Sequence, residues 1–128
     1  MTVEAPTREL DRLEELWADG LSDAFHTYLE SVQDFGLDVQ PQLALAAALI
    51  EIGVRLQGLG TRAAPPTTLL VGDLCLSRGS RLLADHAPLA VQVAFARAIE
   101  SVAAAAASDR PLPATTRQLL QGALGASH

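Results

Sequence analysis

Lysine is missing altogether from these 128 residues; the nine basic side chains are all arginines, set against 15 acids for a net charge of −6. Such a chain has no surface that would track phosphates, so nucleic acid is excluded as the expected partner. A single cysteine, Cys75, excludes an internal disulfide framework and a zinc site built from thiolates. Aromatic residues amount to only 4%, and β-branched runs are scarce, which leaves little material for strands. Long apolar runs are also missing. The longest, Leu43 to Ile50, falls far short of the roughly 20 residues that cross a bilayer, so no membrane span is expected. The first 16 residues are acidic and polar, unlike an export signal, and the expected compartment is the cytoplasm.

What is present is alanine and leucine. Hydrophobic residues make up 49% of the chain and charged residues 19%, with a mean hydropathy of +0.23. That is too apolar for a disordered chain, and the length suits one domain. We read residues 1–128 as a single all-α bundle of about five to six helices, with a flexible N-terminus and C-terminal tail. Proline and glycine divide it. A first segment follows Pro6, with Thr7 as N-cap and Leu10, Leu13, Leu16 and Trp17 at helical spacing, and ends at Gly20. A second begins near Ser22, carries Phe25, Tyr28, Leu29, Val32 and Phe35, and stops at Gly36. Pro41 opens a third that runs to about Gly58, with Glu51 and Arg55 as an i, i+4 ion pair. A fourth spans Thr67 to His86, a fifth Pro88 to Ala107, and a short last one Thr115 to Leu124.

The third and fifth helices are apolar nearly all round, whereas a surface helix ordinarily pairs an apolar stripe with a broad polar face. Six short helices cannot cover two such helices on every side. Apolar surface left over on them predicts a subunit interface.

Few residues are placed to carry chemistry. Gly72, Leu76, Gly79 and Leu83 recur at i, i+4, i+7 and i+11. Each glycine costs a helix about 1 kcal/mol relative to alanine, so the stripe points to close approach of another helix. Asp73 lies beside it as a partly buried carboxylate, with Ser77 one turn on as a hydrogen-bond partner. No second carboxylate follows at helical spacing, so a metal or catalytic role is not expected there. Arg78, Arg81 and Asp85 share one face; they fit a salt-bridged interface rim, and less well a diphosphate contact. Cys75 reads as a small core residue. His26, Glu30 and His86 do not form a metal-binding pattern, and no phosphate-cradling glycine loop occurs.

The run LLVGDLCLSRGSRLLAD, Leu69 to Asp85, resembles a helix of trans-prenyl diphosphate synthases, with its Gly72–Asp73 pair and Leu82–Leu83–Ala84. The upstream stretch Ala47 to Asp73 stands where that family has its first aspartate-rich helix and an arginine-rich loop. The catalytic residues are not there. Val54 to Gly60, VRLQGLG, holds no acid where active members hold Mg²⁺ with D-D-x-x-D; the arginine pair is reduced to Arg62; no second aspartate-rich motif occurs. Ionising an allylic diphosphate needs several anionic ligands for Mg²⁺ and cations for the leaving group. The chain is therefore most similar to the small, non-catalytic subunits of two-component hexaprenyl and heptaprenyl diphosphate synthases.

That resemblance implies part of the isoprenoid synthase fold, a catalytic partner subunit that holds the Mg²⁺, no cofactor on this chain, and a share in setting product length for a menaquinone-type side chain. Gly72, Asp73, Leu76, Gly79 and Leu83 are then the expected interface or packing residues, with the fourth and fifth helices as the docking elements. Two other readings stay open. One is a homodimeric helical module enclosing an apolar ligand; self-association of the isolated chain belongs here. The other is an enzyme in its own right, which would need Asp11, Glu14 and Glu15 to approach Asp73.

Overall fold

The structure is a computed structural model, and it describes residues 20–57, 66–108, 110–111 and 114–126. Among these the chain is all-helical, without strands. Its helices are α1 (Ser22–Ser31), α2 (Gln40–Leu56), α3 (Pro66–His86), α4 (Leu89–Ala107) and α5 (Thr116–Leu124). The expected first segment with Leu10, Leu13, Leu16 and Trp17, the acids Asp11, Glu14 and Glu15, and Arg62 lie outside the described residues.

Local chemistry accounts for most boundaries. Gly20 precedes α1 at φ 131°, a conformation that side-chain-bearing residues rarely adopt, and a Cβ there would stand 2.9 Å from an Arg55 guanidinium nitrogen. Pro41 sits in the first turn of α2, where its missing N–H costs nothing. Pro88 caps α4 in extended geometry. Thr115 forms a reciprocal capping box with Gln118: its hydroxyl accepts from the Gln118 N–H at 3.1 Å, and the Gln118 side chain accepts from the Thr115 N–H at 3.0 Å. One expected boundary moves. The second segment does not run to Gly36; α1 stops at Ser31 and consecutive turns lead to α2. The Gln40 side chain holds them, its Nε2 donating to the Phe35 carbonyl at 2.8 Å.

At the centre lies α2. Leu43, Ala44, Ala46 to Ile50 and Ile52 to Val54 are all buried. α3 packs antiparallel against it over a strip of glycines. A Cβ on Gly53 would meet the Gly72 carbonyl oxygen at 3.0 Å, and one on Gly79 would meet the Ala46 carbonyl oxygen at 2.9 Å. The backbones themselves are therefore in contact. α1 lies along another side of α2, burying Ala24 and Tyr28, with Val32 buried just past its end. α5 packs mainly on α4 and also reaches α1 and α2.

Candidate functional site

The glycine stripe faces inward. Gly72 lies against Gly53 and the side chains of Leu56 and Gln57, and Gly79 against Ile50 and Ala46. Leu76 packs into the bare face of Gly53, and Leu83 is buried in the core. The close approach inferred from these residues is to α2 of the same chain, which occupies the face they would offer to a partner. Gly53, half of this contact, was not singled out; a glycine inside so apolar a helix was the available signal. Asp73 is exposed rather than partly buried, and its carboxylate accepts from the Gln57 amide. Arg81 pairs with Asp85 at 3.3 Å as an exposed i, i+4 bridge, and Arg78 is exposed beside it. Those two arginines rim a small groove of about 430 Å³ whose walls are Leu21, Leu45, Leu49 and Leu82.

Cys75 is buried at 1% exposure, and burial pushes its thiol above the ordinary range. His26 is exposed, its Nδ1 donating to the Ser22 carbonyl at 2.7 Å. No three His, Cys, Asp or Glu side chains gather into a metal-binding group among the described residues.

A polar cluster that the sequence reading missed ties the C-terminal helix to the core. Arg117 on α5 forks onto Glu51 of α2, Nε to Oε1 and Nη2 to Oε2, both at 2.9 Å. The Tyr28 hydroxyl donates to Glu51 Oε1 at 2.8 Å, and Asp23 accepts longer contacts of 3.4 Å from Arg117. Glu51 thus pairs across 66 residues rather than with Arg55 one turn away. Its side chain is only 13% exposed, so the bidentate guanidinium replaces the water it has lost. Burial, and then the Glu51 charge, raises the Tyr28 hydroxyl far above its ordinary range. Hydrogen bonding to Glu51 raises Arg117 further still, so the guanidinium is permanently charged. The cluster joins α1, α2 and α5 through paired groups and acts as a clamp.

Uncovered apolar surface is found on α4. Only Val91, Phe95, Ala98 and Val102 are buried along this 19-residue helix. Leu89 is 69% exposed and Val93 41%, and Ala96, Ala103, Ala104 and Ala107 are exposed with them. Alongside, α4 and α5 border a groove of about 710 Å³ that is open to solvent. Small residues, Ala90, Ala94 and Ala98 on one side and Gly122, Ala123 and Ala126 on the other, share its lining with Leu89, Val93, Arg97 and Leu119. Gly122 has nothing within 4 Å of where its Cβ would be, so no contact among the described residues explains it. The leftover apolar surface expected on two helices is thus confined to one. α2 is covered by α1, α3 and the clamp, whereas α4 is not.

α4 is long and apolar enough to cross a membrane by length and composition alone, with 22% of its most apolar stretch buried, a test that core helices also pass. Arg97 and Glu100 stand at its middle, and a charge there costs about 2.5–3.5 kcal/mol in a bilayer. No protein-family model, curated protein or solved structure matches this chain.

Proposed function

We propose that this chain is a non-catalytic helical subunit of a two-component medium- or long-chain prenyl diphosphate synthase. It docks through the α4–α5 face onto a catalytic subunit and helps set the length of a quinone side chain. The observation that carries a docking role is the uncovered apolar flank of α4, continuous with the alanine- and glycine-lined groove. The small residues in its lining favour close approach of a helix, and Leu89, Val93 and Leu119 offer that helix apolar contact. Its openness suits a helix better than a small apolar ligand, which would ordinarily be enclosed. The choice of a prenyl synthase as the partner rests on the sequence resemblance around Gly72 and Asp73.

The division of labour follows from chemistry. Mg²⁺ and the diphosphates belong to the partner in the cytoplasm, and an elongating chain needs a dry tunnel between helices. The face of α4 offers apolar wall on either side of Arg97 and Glu100, which suits a brace for a tunnel boundary. The test is co-purification with the aspartate-motif synthase of the same organism, followed by chromatography of the prenyl products. A stoichiometric complex, and products whose length changes when this chain is added, support the reading. A synthase that makes the same products at the same rate without this chain refutes it.

A further inference from the structure

The outer edge of α4 carries a pattern that matches itself. Val93, Arg97, Glu100 and Ala104 follow at i, i+4, i+7 and i+11, and all four are exposed. They form one seam of the kind through which two helices pair. Two opposite charges occupy its middle, three residues apart, on a surface otherwise apolar. Neither Arg97 nor Glu100 has an ion-pair or hydrogen-bond partner among the described residues.

A two-fold axis at the midpoint of Arg97 and Glu100 resolves this. An antiparallel second copy of α4 would then set Arg97 against Glu100 of its mate, and Glu100 against Arg97. The same register puts Val93 against Ala104, and Ala90 against Ala107. No charge faces its like, and every remaining pair contains an alanine, so the helices can approach closely. A parallel pair would set Arg97 against Arg97.

We propose that the free chain forms an antiparallel homodimer through this seam, held in register by two reciprocal Arg97–Glu100 ion pairs. The proposal rests on the reading of α4 as a docking face and deepens it. Val93 and Arg97 also line the α4–α5 groove, so a second copy and a synthase subunit exclude one another. The homodimer is then the form that covers the apolar flank until the partner displaces it. One helix from each copy makes a small interface, so the dimer is reversible and concentration-dependent. The ion pairs act mainly on orientation, since desolvation offsets much of their attraction, but like charges in their place are strongly unfavourable.

Sedimentation velocity over a concentration series of the full chain tests this, with Arg97→Glu, Glu100→Arg and their equimolar mixture alongside. The wild type should shift from 13.5 kDa to a species of twice that mass. Each single reversal puts two like-charge contacts at the axis and should weaken dimerisation roughly a hundredfold, about tenfold per contact. Circular dichroism should show unchanged helicity, because both sites are exposed. Mixing the two variants restores both pairs, so native mass spectrometry should find the mixed dimer and neither homodimer. A wild type that stays monomeric, single variants that dimerise like it, or a mixture that does not associate overturns the proposal. No synthase enters the experiment, so its failure and failure of the partner reading are told apart.

Discussion

The same substitution, glycine to alanine, should have opposite effects at Gly79 and Gly122. Within a helix the change contributes about 1 kcal/mol through backbone entropy wherever it is made. At Gly122 nothing lies within 4 Å of the new methyl, so the gain stands nearly alone. At Gly79 the methyl would arrive 2.7 Å from Ile50 Cγ1 and 2.9 Å from the Ala46 carbonyl oxygen. The second of these is backbone in the most buried helix, which cannot yield as a side-chain tip can. Overpacking of this kind costs about 1–3 kcal/mol, and here α2 and α3 must separate along their length to relieve it. After the propensity gain the net change should be a loss of up to about 2 kcal/mol. For a domain of this size each kcal/mol moves the melting temperature by roughly 3–5 °C. Gly122→Ala should therefore melt a few degrees higher than the parent, and Gly79→Ala several degrees lower. Circular dichroism melts at one fixed protein concentration would measure both. If Gly79→Ala stabilises the chain as much as Gly122→Ala does, the backbone contact between α2 and α3 is not what this structure shows.

Two further outcomes follow from the clamp. Tyr28 is the chain's one tyrosine, so its phenolate can be followed at 295 nm without interference. Its native pKa lies above the unfolded value of about 10, so the unfolded state gives up the proton first and stability falls as pH rises past 10, by at most about 1.4 kcal/mol per pH unit. The buried Cys75 thiol acts in the same direction from about pH 9. Phenolate absorbance should thus appear together with loss of helicity; ordinary titration near pH 10 in the folded chain would disprove the burial of this hydroxyl. Removing the fork with Arg117→Met leaves Glu51 short of its counter-ion and should cost about 2 kcal/mol in urea unfolding, discounted for the third of Arg117 that water reaches. Adding Glu51→Gln should recover part of that loss, and strict additivity of the two would show that the pair is not coupled.

Helix content was legible because most boundaries are written in adjacent residues. Pro41 and Pro88 act over a single turn, and the structure keeps both; the start at Thr115 is kept too, with a capping box to Gln118 that only the structure shows. The end of α1 was not legible, because apolar spacing continues through Val32 and Phe35 after the helix has stopped. Those two side chains still face the core from the turns, so burial alone preserves the period. The glycine stripe announced a close helix contact, but nothing local to Gly72 and Gly79 tells a neighbour in the same chain from one in another. Arg117 was invisible for a related reason. Its value lies in Glu51, 66 positions away, and a lone arginine on a short helix carries no trace of that distance.

The contrast between α2 and α4 carries the functional argument. Both are alanine-rich, and composition assigns them the same leftover surface. Tertiary structure separates them by what their polar residues do. On α2, Glu51 is consumed by Tyr28 and Arg117, which pulls α5 across and closes that side of the bundle. On α4, Arg97 and Glu100 have no such partner among the described residues, and the helix keeps an open flank. An apolar helix whose charges are satisfied within the chain is core. One whose charges are left to solvent on an open apolar flank is the face that the proposed dimer would cover, and the order of its charges, basic before acidic across a two-fold, limits what could cover it.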